Sequence, residues 1–264
     1  MAGEAGVVHA RRDDGVGWLV FDNPGKLNAV SNDMLAQALD IVRDFEGDPA
    51  VKVVVMRGAG EKAFISGGDI SKFEGARDDA AAERLHRQVP DRFQTALAGL
   101  SKPVIAMIRG YCLGGGMGIA LCADMRFAST DSKFGIPAAR RGIAYGLSGL
   151  KRLVDVVGPS IAKDLMFSAR QVQAGEALEM GLVNRLYPPD ELEAATLAYA
   201  RLVAGNAPLS VRASKFFIGQ LAQPEKRRDQ ARMQRMIDEA AESADFKEAT
   251  RAFLEKRKPV FRGE

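Results

Sequence analysis

The sequence predicts an α/β fold in which short strands alternate with helices, followed by a mostly helical C-terminal third. Short apolar runs rich in β-branched residues alternate with segments of helical periodicity as far as about residue 150. Strand signals are rare after that point, and the remaining periodic segments are nearly all helical. Alternation of strand and helix favours crossover connections around an α/β core.

Four apolar runs are predicted as strands because they are short and rich in β-branched residues. They are VGWLVFD (16–22), VKVVVMRG (51–58), PVIAMIRG (103–110) and ADMRFAS (123–129). Between them, Ser31 is the predicted N-cap of a helix over 31–48, and residues 79–100 form another helical stretch. The predicted C-terminal helices span 159–168, 173–181, 190–205, 208–221 and about 226–257.

Composition excludes several classes of protein. The chain has 264 residues, 47% of them hydrophobic, which is enough for a sizeable core, and its net charge of +3 is too small to indicate a nucleic-acid partner. Apolar runs fall short of the ~20 residues of a membrane span, and no signal-peptide core is found, so we expect a cytoplasmic protein without a membrane partner. Cys112 and Cys122 lie in apolar surroundings and are predicted to be buried free thiols.

Cofactor and metal motifs are also absent from the sequence. No G-x-G-x-x-G follows the first strand, and no G-x-x-x-x-G-K-[ST] occurs, which argues against a dinucleotide-dependent dehydrogenase. The two histidines, His9 and His86, are interpreted as surface or hydrogen-bonded residues, and no carboxylates cluster around them. We therefore expect neither a cofactor nor a metal site.

Two segments combine a strand end with consecutive glycines: AFISGGDISKF (63–73) and GYCLGGGMGIALCAD (110–124). Glycine in a helix costs about 1 kcal/mol relative to alanine, so three glycines at 114–116 need a reason other than stability. Backbone N–H groups at such transitions lack intrahelical partners and can bind an anion or a developing oxyanion. The joint occurrence of the two segments favours an oxyanion hole over close packing alone.

Four motifs, in this order, resemble the crotonase superfamily, also called the enoyl-CoA hydratase/isomerase family. They are NPGKLNAV (23–30), GEKAFISGGDI (60–70), GYCLGGGMGIALCAD (110–124) and AFLEKRKPVF (252–261). AGEALEMGLVNRLYPPDEL (174–192) also resembles the family's helical region. The resemblance implies a core of repeated ββα units over 1–200 and a helical C-terminal region over 201–264 that builds homotrimers, often paired as homohexamers.

The resemblance also implies which residues contact an acyl-CoA substrate. The backbone N–H groups of Gly68 and Gly115 would hold the thioester carbonyl and stabilise its enolate. Phe253 and Lys256 match positions that reach the CoA of a neighbouring subunit. The remaining implied substrate contacts are Lys26, Leu27, Ala29, Ser66, Asp69, Ile70, Leu113, Pro137 and Ala138.

The glutamates that hold and activate water in the family's hydratases are missing. One position, two residues after the third glycine, is Gly118, and the other, directly after F-G-x-P, is Ala138. Neither side chain can transfer a proton, so the paired acid–base mechanism lacks both of its groups.

A tyrosine suggests another reaction. In GIAYGLSG, Tyr145 takes the position of a proline in most family hydratases and resembles the V-P-Y-N-L segment of methylmalonyl-CoA decarboxylases. Those enzymes carry a histidine where Gly68 stands here, which counts against the match. Three functions therefore stay open: a lyase of the enoyl-CoA hydratase type, a malonyl-type acyl-CoA decarboxylase that uses Tyr145, and a catalytically silent acyl-CoA-binding protein.

Overall fold

The structure is a computed structural model that describes residues 5–69 and 80–264, with the backbone alone for residues 80–87. The strands are β1 (Val7–Asp13), β2 (Val16–Asp22), β3 (Val53–Gly58), β4 (Ala63–Ile65), β5 (Val104–Ile108), β6 (Tyr111–Leu113), β7 (Met125–Ser129), β8 (Lys133–Gly135), β9 (Gln171–Gln173) and β10 (Arg185–Tyr187). The helices are α1 (Asn32–Gly47), α2 (Ala80–Ala98), α3 (Gly115–Ala120), α4 (Leu147–Ser168), α5 (Ala174–Glu179), α6 (Leu192–Ala204), α7 (Pro208–Leu221), α8 (Gln230–Glu242) and α9 (Ala244–Leu254).

The order of elements is a ββα unit repeated four times, from β1-β2-α1 to β7-β8-α4, which confirms the predicted fold class. The larger sheet has six strands in the order β1-β2-β3-β5-β7-β10, and all its pairs are parallel except β1 with β2. The smaller sheet has the order β4-β6-β8-β9. From the second unit onward, the first strand of each unit joins the larger sheet and the second joins the smaller one.

Both faces of the larger sheet are buried at its central strands, because helices cover each side, whereas the edge strand β1 is mostly exposed. Along β3, Val54 and Met56 belong to the cluster that includes the apolar face of α1. Val53 and Val55 point to the opposite face and pack in the cluster that includes residues of α6. A central parallel strand buried on both faces is expected to read as a continuous apolar run, and VVVM does.

Several predicted element boundaries were wrong. The helix predicted over 226–257 is two helices, α8 and α9, separated at Ser243, whose hydroxyl accepts a hydrogen bond from the Phe246 N–H and caps α9. The helix predicted over 159–168 matches the second part of α4, after the interruption at Gly158, where φ is 76°, whereas the first part of α4, from Leu147, was not predicted. The three-residue strands β6, β8, β9 and β10 were not predicted, since runs this short carry no usable periodicity.

The expected boundary after residue 200 falls inside α6. Ala200 and Ala204 both pack against the larger sheet, in one cluster with Trp18 and Phe127. The whole length of α6 is therefore part of the layer that covers this sheet.

Within residues 5–69 and 80–264, no helix has the length and apolar content needed to cross a membrane. Among the side chains of residues 5–69 and 88–264, no group of three or more His, Cys, Asp or Glu is arranged to hold a metal ion.

The loop that connects β2 to α1 is fixed by two buried asparagines. Asn28 has a φ of 56° and is 1% exposed. Its Nδ2 donates to the carbonyls of Ala59 and Ala63, at 2.9 and 2.8 Å, and its Oδ1 accepts from the Asn23 N–H at 3.0 Å. A short amide side chain tolerates the left-handed conformation better than most residues, so one asparagine satisfies both the backbone and the hydrogen bonds.

We expect Asn28→Ala to lower the free energy of unfolding by about 3 kcal/mol, because it leaves buried backbone groups unpaired in a strained conformation. Urea unfolding measures the loss. Gly25→Ala, in the same loop with open space at the added Cβ, is the control and should change stability by less than about 0.5 kcal/mol. Equal stability of the two variants would contradict the role assigned to Asn28.

Both thiols are buried, as predicted, and neither forms a disulfide. Burial raises the pKa of Cys122 to about 11, with Arg152 and Arg126 acting in the opposite direction. Burial also raises the pKa of Cys112. An unfolded thiol loses its proton near pH 8.5, so between that pH and about 11 the unfolded state binds fewer protons than the folded state.

Stability should therefore fall as the pH rises above the unfolded thiol pKa, and Cys122 contributes about 2 kcal/mol of the loss between pH 8 and pH 10. Urea unfolding of the wild type and of Cys122→Ala at both pH values tests this. The variant should lose about 2 kcal/mol less than the wild type over this interval. Identical losses would show that the thiol is not buried as described.

Candidate active site

Three loops meet because the strands that precede them are parallel neighbours. β4 pairs with β6 and β6 pairs with β8, all in the same direction. The chain therefore leaves the three strands at one edge of the smaller sheet. The segments after them, 66–69, 114–115 and 136–138, form the candidate site, as expected for the carboxyl ends of parallel strands.

The two glycine segments approach each other backbone to backbone. A Cβ built on Gly115 would lie 3.5 Å from the nitrogen of Gly68 and 3.7 Å from the carbonyl carbon of Gly67. Within the described chain, neither the Gly68 N–H nor the Gly115 N–H donates a hydrogen bond to another residue. Gly68 is exposed and Gly115 is half-buried, so neither residue is enclosed in the core.

Gly116 makes this approach possible. A Cβ at Gly116 would overlap the carbonyl oxygen of Ile65, the last residue of β4, so only glycine allows α3 to pack against this strand. Gly114, with a φ of 52°, directs the chain from β6 into α3 and donates its N–H to the Gly135 carbonyl at 2.8 Å. The glycine run thus has a packing role as well as leaving the N–H of Gly115 accessible.

The 26–30 loop lies along the same edge and fixes Gly68 from the other side. Val30 forms an isolated parallel bridge with Gly68, in which the Val30 N–H donates to Gly67 and the Asp69 N–H donates to Val30. The Ser66 N–H donates to the Leu27 carbonyl at 3.1 Å. Bonding on both sides holds the backbone around Gly68 in one position.

This loop and the segment after β4 bring together five of the residues that the resemblance assigned to substrate binding: Lys26, Leu27, Ala29, Ser66 and Asp69. Lys26 Nζ lies 2.8 Å from Asp69 Oδ2, and the Ser66 hydroxyl donates to the Lys26 carbonyl. Ile70 lies outside the described residues. The Lys26 ammonium is half-exposed, so it keeps a solvent-facing positive charge beside the loop.

The two positions that the resemblance assigned to glutamates have different surroundings. Ala138 is buried, with 3% of its surface exposed. Its carbonyl accepts hydrogen bonds from the N–H groups of Arg141 and Ile143, each at 3.0 Å. Gly118 is half-buried, and a Cβ there would lie 3.5 Å from the side-chain nitrogen of Gln94. Leu113 and Pro137 are half-buried next to these loops, and Pro137 Cδ lies 3.9 Å from a Cβ built on Gly114.

Gln94 and Arg152 were missed by the sequence analysis. Arg152 donates from Nη1 to Oε1 of Gln94 at 3.0 Å, which links α4 to α2 beside Gly118. No local pattern marks this contact, because the two residues are 58 positions apart on different helices.

Tyr145 is half-buried against the main core cluster, with its ring 3.6 Å from a Cβ built on Gly149. Burial raises the pKa of the Tyr145 hydroxyl, and the charge of Arg141 acts in the opposite direction. The hydroxyl therefore stays protonated at neutral pH and can donate a hydrogen bond.

Phe253 and Lys256 are not brought to this site within the chain. Phe253 is 82% exposed at the end of α9. The segment that follows α9 folds back toward the start of β3, where Lys52 Nζ donates to the Phe261 carbonyl at 3.0 Å, whereas the site follows β4. Their assigned role at a neighbouring subunit's CoA stays a prediction.

Repeated ββα units, with facing glycine segments after β4 and β6, define a crotonase-type α/β protein. The chain belongs to the enoyl-CoA hydratase/isomerase family, whose model matches residues 11–264.

Several relatives are similar to this chain over nearly its whole length. The short-chain-enoyl-CoA hydratase of Clostridium acetobutylicum is 36% identical over 246 residues, which is 91% of each chain. The (E)-benzylidenesuccinyl-CoA hydratase of Thauera aromatica is 32% identical over 250 residues, with 94% and 96% covered. The crystal structure of an enoyl-CoA hydratase/carnithine racemase from Magnetospirillum magneticum superposes with a TM-score of 0.92, at 31% identity, over 99% of this chain and 97% of that chain.

We expect Gly116→Ala and Gly118→Ala to differ sharply in their effect on the free energy of unfolding, although both positions lie in α3. The added methyl group at 116 meets a backbone carbonyl that cannot move freely, so we expect a loss of about 3 kcal/mol or more. At 118 it makes an ordinary contact, and the helix propensity of alanine gives a change within about 1 kcal/mol of zero. Urea unfolding of the two variants tests the packing of α3 on β4, and equal stabilities would contradict it.

Proposed function

We propose that this chain is an acyl-CoA-processing lyase that stabilises a thioester enolate between the backbone N–H groups of Gly68 and Gly115. The observation that carries the proposal is the approach of these two unpaired donors at the edge of the smaller sheet. A thioester oxygen gains negative charge as its enolate forms, and each fixed donor aimed at it is worth about 3 kcal/mol in related sites. The short helix α3 has only six residues, so the donors rather than a long helix dipole carry the effect.

The activities of several relatives support acyl-CoA thioesters as substrates. They include a short-chain-enoyl-CoA hydratase, a crotonyl-CoA hydratase and the alpha subunit of a fatty acid oxidation complex. Hydration places electrons on the thioester oxygen when water adds to the β-carbon, and the α-carbon is then protonated. The enoyl-CoA hydratase type of reaction is the first candidate, with a group other than a glutamate pair handling the proton.

Decarboxylation of a malonyl-type thioester is the second candidate, and the residues at 118 and 138 favour it. The electrons of the broken C–C bond pass to the enolate, carbon dioxide leaves, and the α-carbon is protonated afterwards. No general base is needed, which suits a site with glycine and alanine at these positions. Tyr145, protonated and half-buried, would donate a hydrogen bond in this reaction.

We also propose that the chain assembles as a homotrimer or homohexamer. Large apolar side chains are exposed on the later helices, and a second copy of the chain would cover them. They include Phe167, Leu202, Ile218, Leu221, Phe246, Phe253 and Leu254. Assembly would also give Phe253 and Lys256 a neighbouring site to reach.

A mass-spectrometric screen against crotonyl-type and malonyl-type CoA thioesters identifies the reaction. Gain of water on the first set indicates hydration, and loss of carbon dioxide from the second indicates decarboxylation. In either case, we expect Gly68→Pro, which removes the N–H, to lower kcat by about 10²-fold or more, while Gly68→Ala, which keeps it, retains most of the rate.

The same screen separates the remaining candidates. If Tyr145 acts in decarboxylation, Tyr145→Phe should slow that reaction by at least about tenfold, and Tyr199→Phe, on the far face of the larger sheet, should not. Acyl-CoA binding with no turnover on either set would favour a silent binding protein. Full activity of Gly68→Pro would contradict the proposed oxyanion hole.

A further inference from the structure

Gln94 takes the space beside Gly118. Its Nε2 and Oε1 atoms lie 3.5 and 3.9 Å from a Cβ built on Gly118. Its neighbours on α2, Phe93 and Leu97, are fully buried in the core, which fixes the backbone from which Gln94 extends. An uncharged amide thus stands next to the point where a side chain at 118 would begin.

Arg152 adds a positive charge to the same place. Its guanidinium bonds Oε1 of Gln94 at 3.0 Å. Its charge also acts on Cys122, where it lowers the pKa of the thiol against the larger effect of burial. The Cys122 Sγ donates to the Gly118 carbonyl at 3.2 Å, so Arg152, Gln94 and Gly118 form one cluster.

This charge has no counterion in the described chain. Across residues 5–69 and 88–264, no carboxylate lies within ion-pair distance of Arg152, and its one hydrogen bond is to the neutral Gln94. Arg152 is nevertheless half-buried. A guanidinium has five N–H donors in a fixed fork, and partly withdrawing it from water without a partner is unfavourable, so a bound anion would be stabilised there.

The cluster lies a short distance from the thioester position. Gly118 follows Gly115 by three residues on α3, which is about 4.5 Å along a helix axis and on nearly the same face. An acyl group whose carbonyl oxygen is held at Gly115 can therefore place an anionic group two or three carbons further on beside Gln94 and Arg152.

We propose that Gln94 and Arg152 form a subsite for a second carboxylate on the acyl group, so that the substrate is a short dicarboxylyl-CoA thioester. This inference rests on the proposed function of the site. Arg152 provides paired donors that match a carboxylate, and the Nε2 of Gln94 provides a third.

The charge also indicates that this carboxylate is retained during the reaction. A carboxylate that leaves as carbon dioxide loses its negative charge on the way to the transition state. A cation beside it would stabilise the ground state more than the transition state and slow the reaction. The subsite therefore suits a carboxylate that stays on the product.

Isothermal titration calorimetry with glutaryl-CoA and butyryl-CoA tests the subsite on the full chain. We expect the wild type to bind glutaryl-CoA at least about tenfold more tightly than butyryl-CoA. Arg152→Met should remove this preference and leave butyryl-CoA binding within about twofold, and Arg152→Lys should restore part of it. Lys151→Met, an exposed neighbour that pairs with Asp155, is the matched control and should keep the preference.

Gln94→Met gives a second test if Arg152→Met does not fold, and we expect it to lower the preference for glutaryl-CoA at least threefold. Equal affinity of the wild type for the two thioesters would overturn the subsite. An equal loss of affinity for both thioesters in Arg152→Met would overturn it as well. Neither result would contradict the proposed function, since the wild type would still bind acyl-CoA. Failure of the wild type to bind either thioester would overturn the subsite and the proposed function together.

Discussion

Parallel pairing of β4 with β6 is the constraint on which the candidate site depends. The pairing sends the chain out of both strands at the same edge, so the segments that follow must share a small space. They can do so only because Gly116 lets α3 approach the Ile65 carbonyl. As a consequence, the backbones at Gly68 and Gly115 lie close together, and neither N–H donates to an acceptor within residues 5–69 and 80–264. The site is therefore a property of how the repeated ββα units stack.

The loop between β2 and α1 keeps this arrangement rigid. Asn28 bonds three backbone groups from a left-handed conformation, and Val30 forms an isolated parallel bridge with Gly68. Donors that are held in place before a ligand arrives need not reorganise as charge develops, which is where electrostatic stabilisation gains its effect. The hydrogen bonds that fix this irregular loop therefore favour a role for the loop in binding.

The described residues near Gly115 and Gly118 include a positive charge. Gly118 and Ala138 supply no carboxylate, whereas Arg152 supplies a half-buried cation held by Gln94. A positive charge near the enolate position favours anionic acyl groups and enolate formation alike. Tyr145 adds a hydroxyl that is protonated at neutral pH, since the ordinary pKa of tyrosine is about 10 and burial raises it further. Arg152 and Gln94 are therefore suited to bind a negatively charged group.

The sequence by itself determined the strand–helix alternation, the Ser31 cap of α1 and, through its motifs, the ββα fold and the two glycine segments at 66–69 and 114–116. These features are local or depend on short contiguous motifs. Only the tertiary structure decided the three-residue strands, the break at Ser243 and the pairing of Gln94 with Arg152, residues 58 positions apart. Strands that short are stabilised by their neighbours rather than by their own periodicity, and a contact between two helices leaves no pattern in either one.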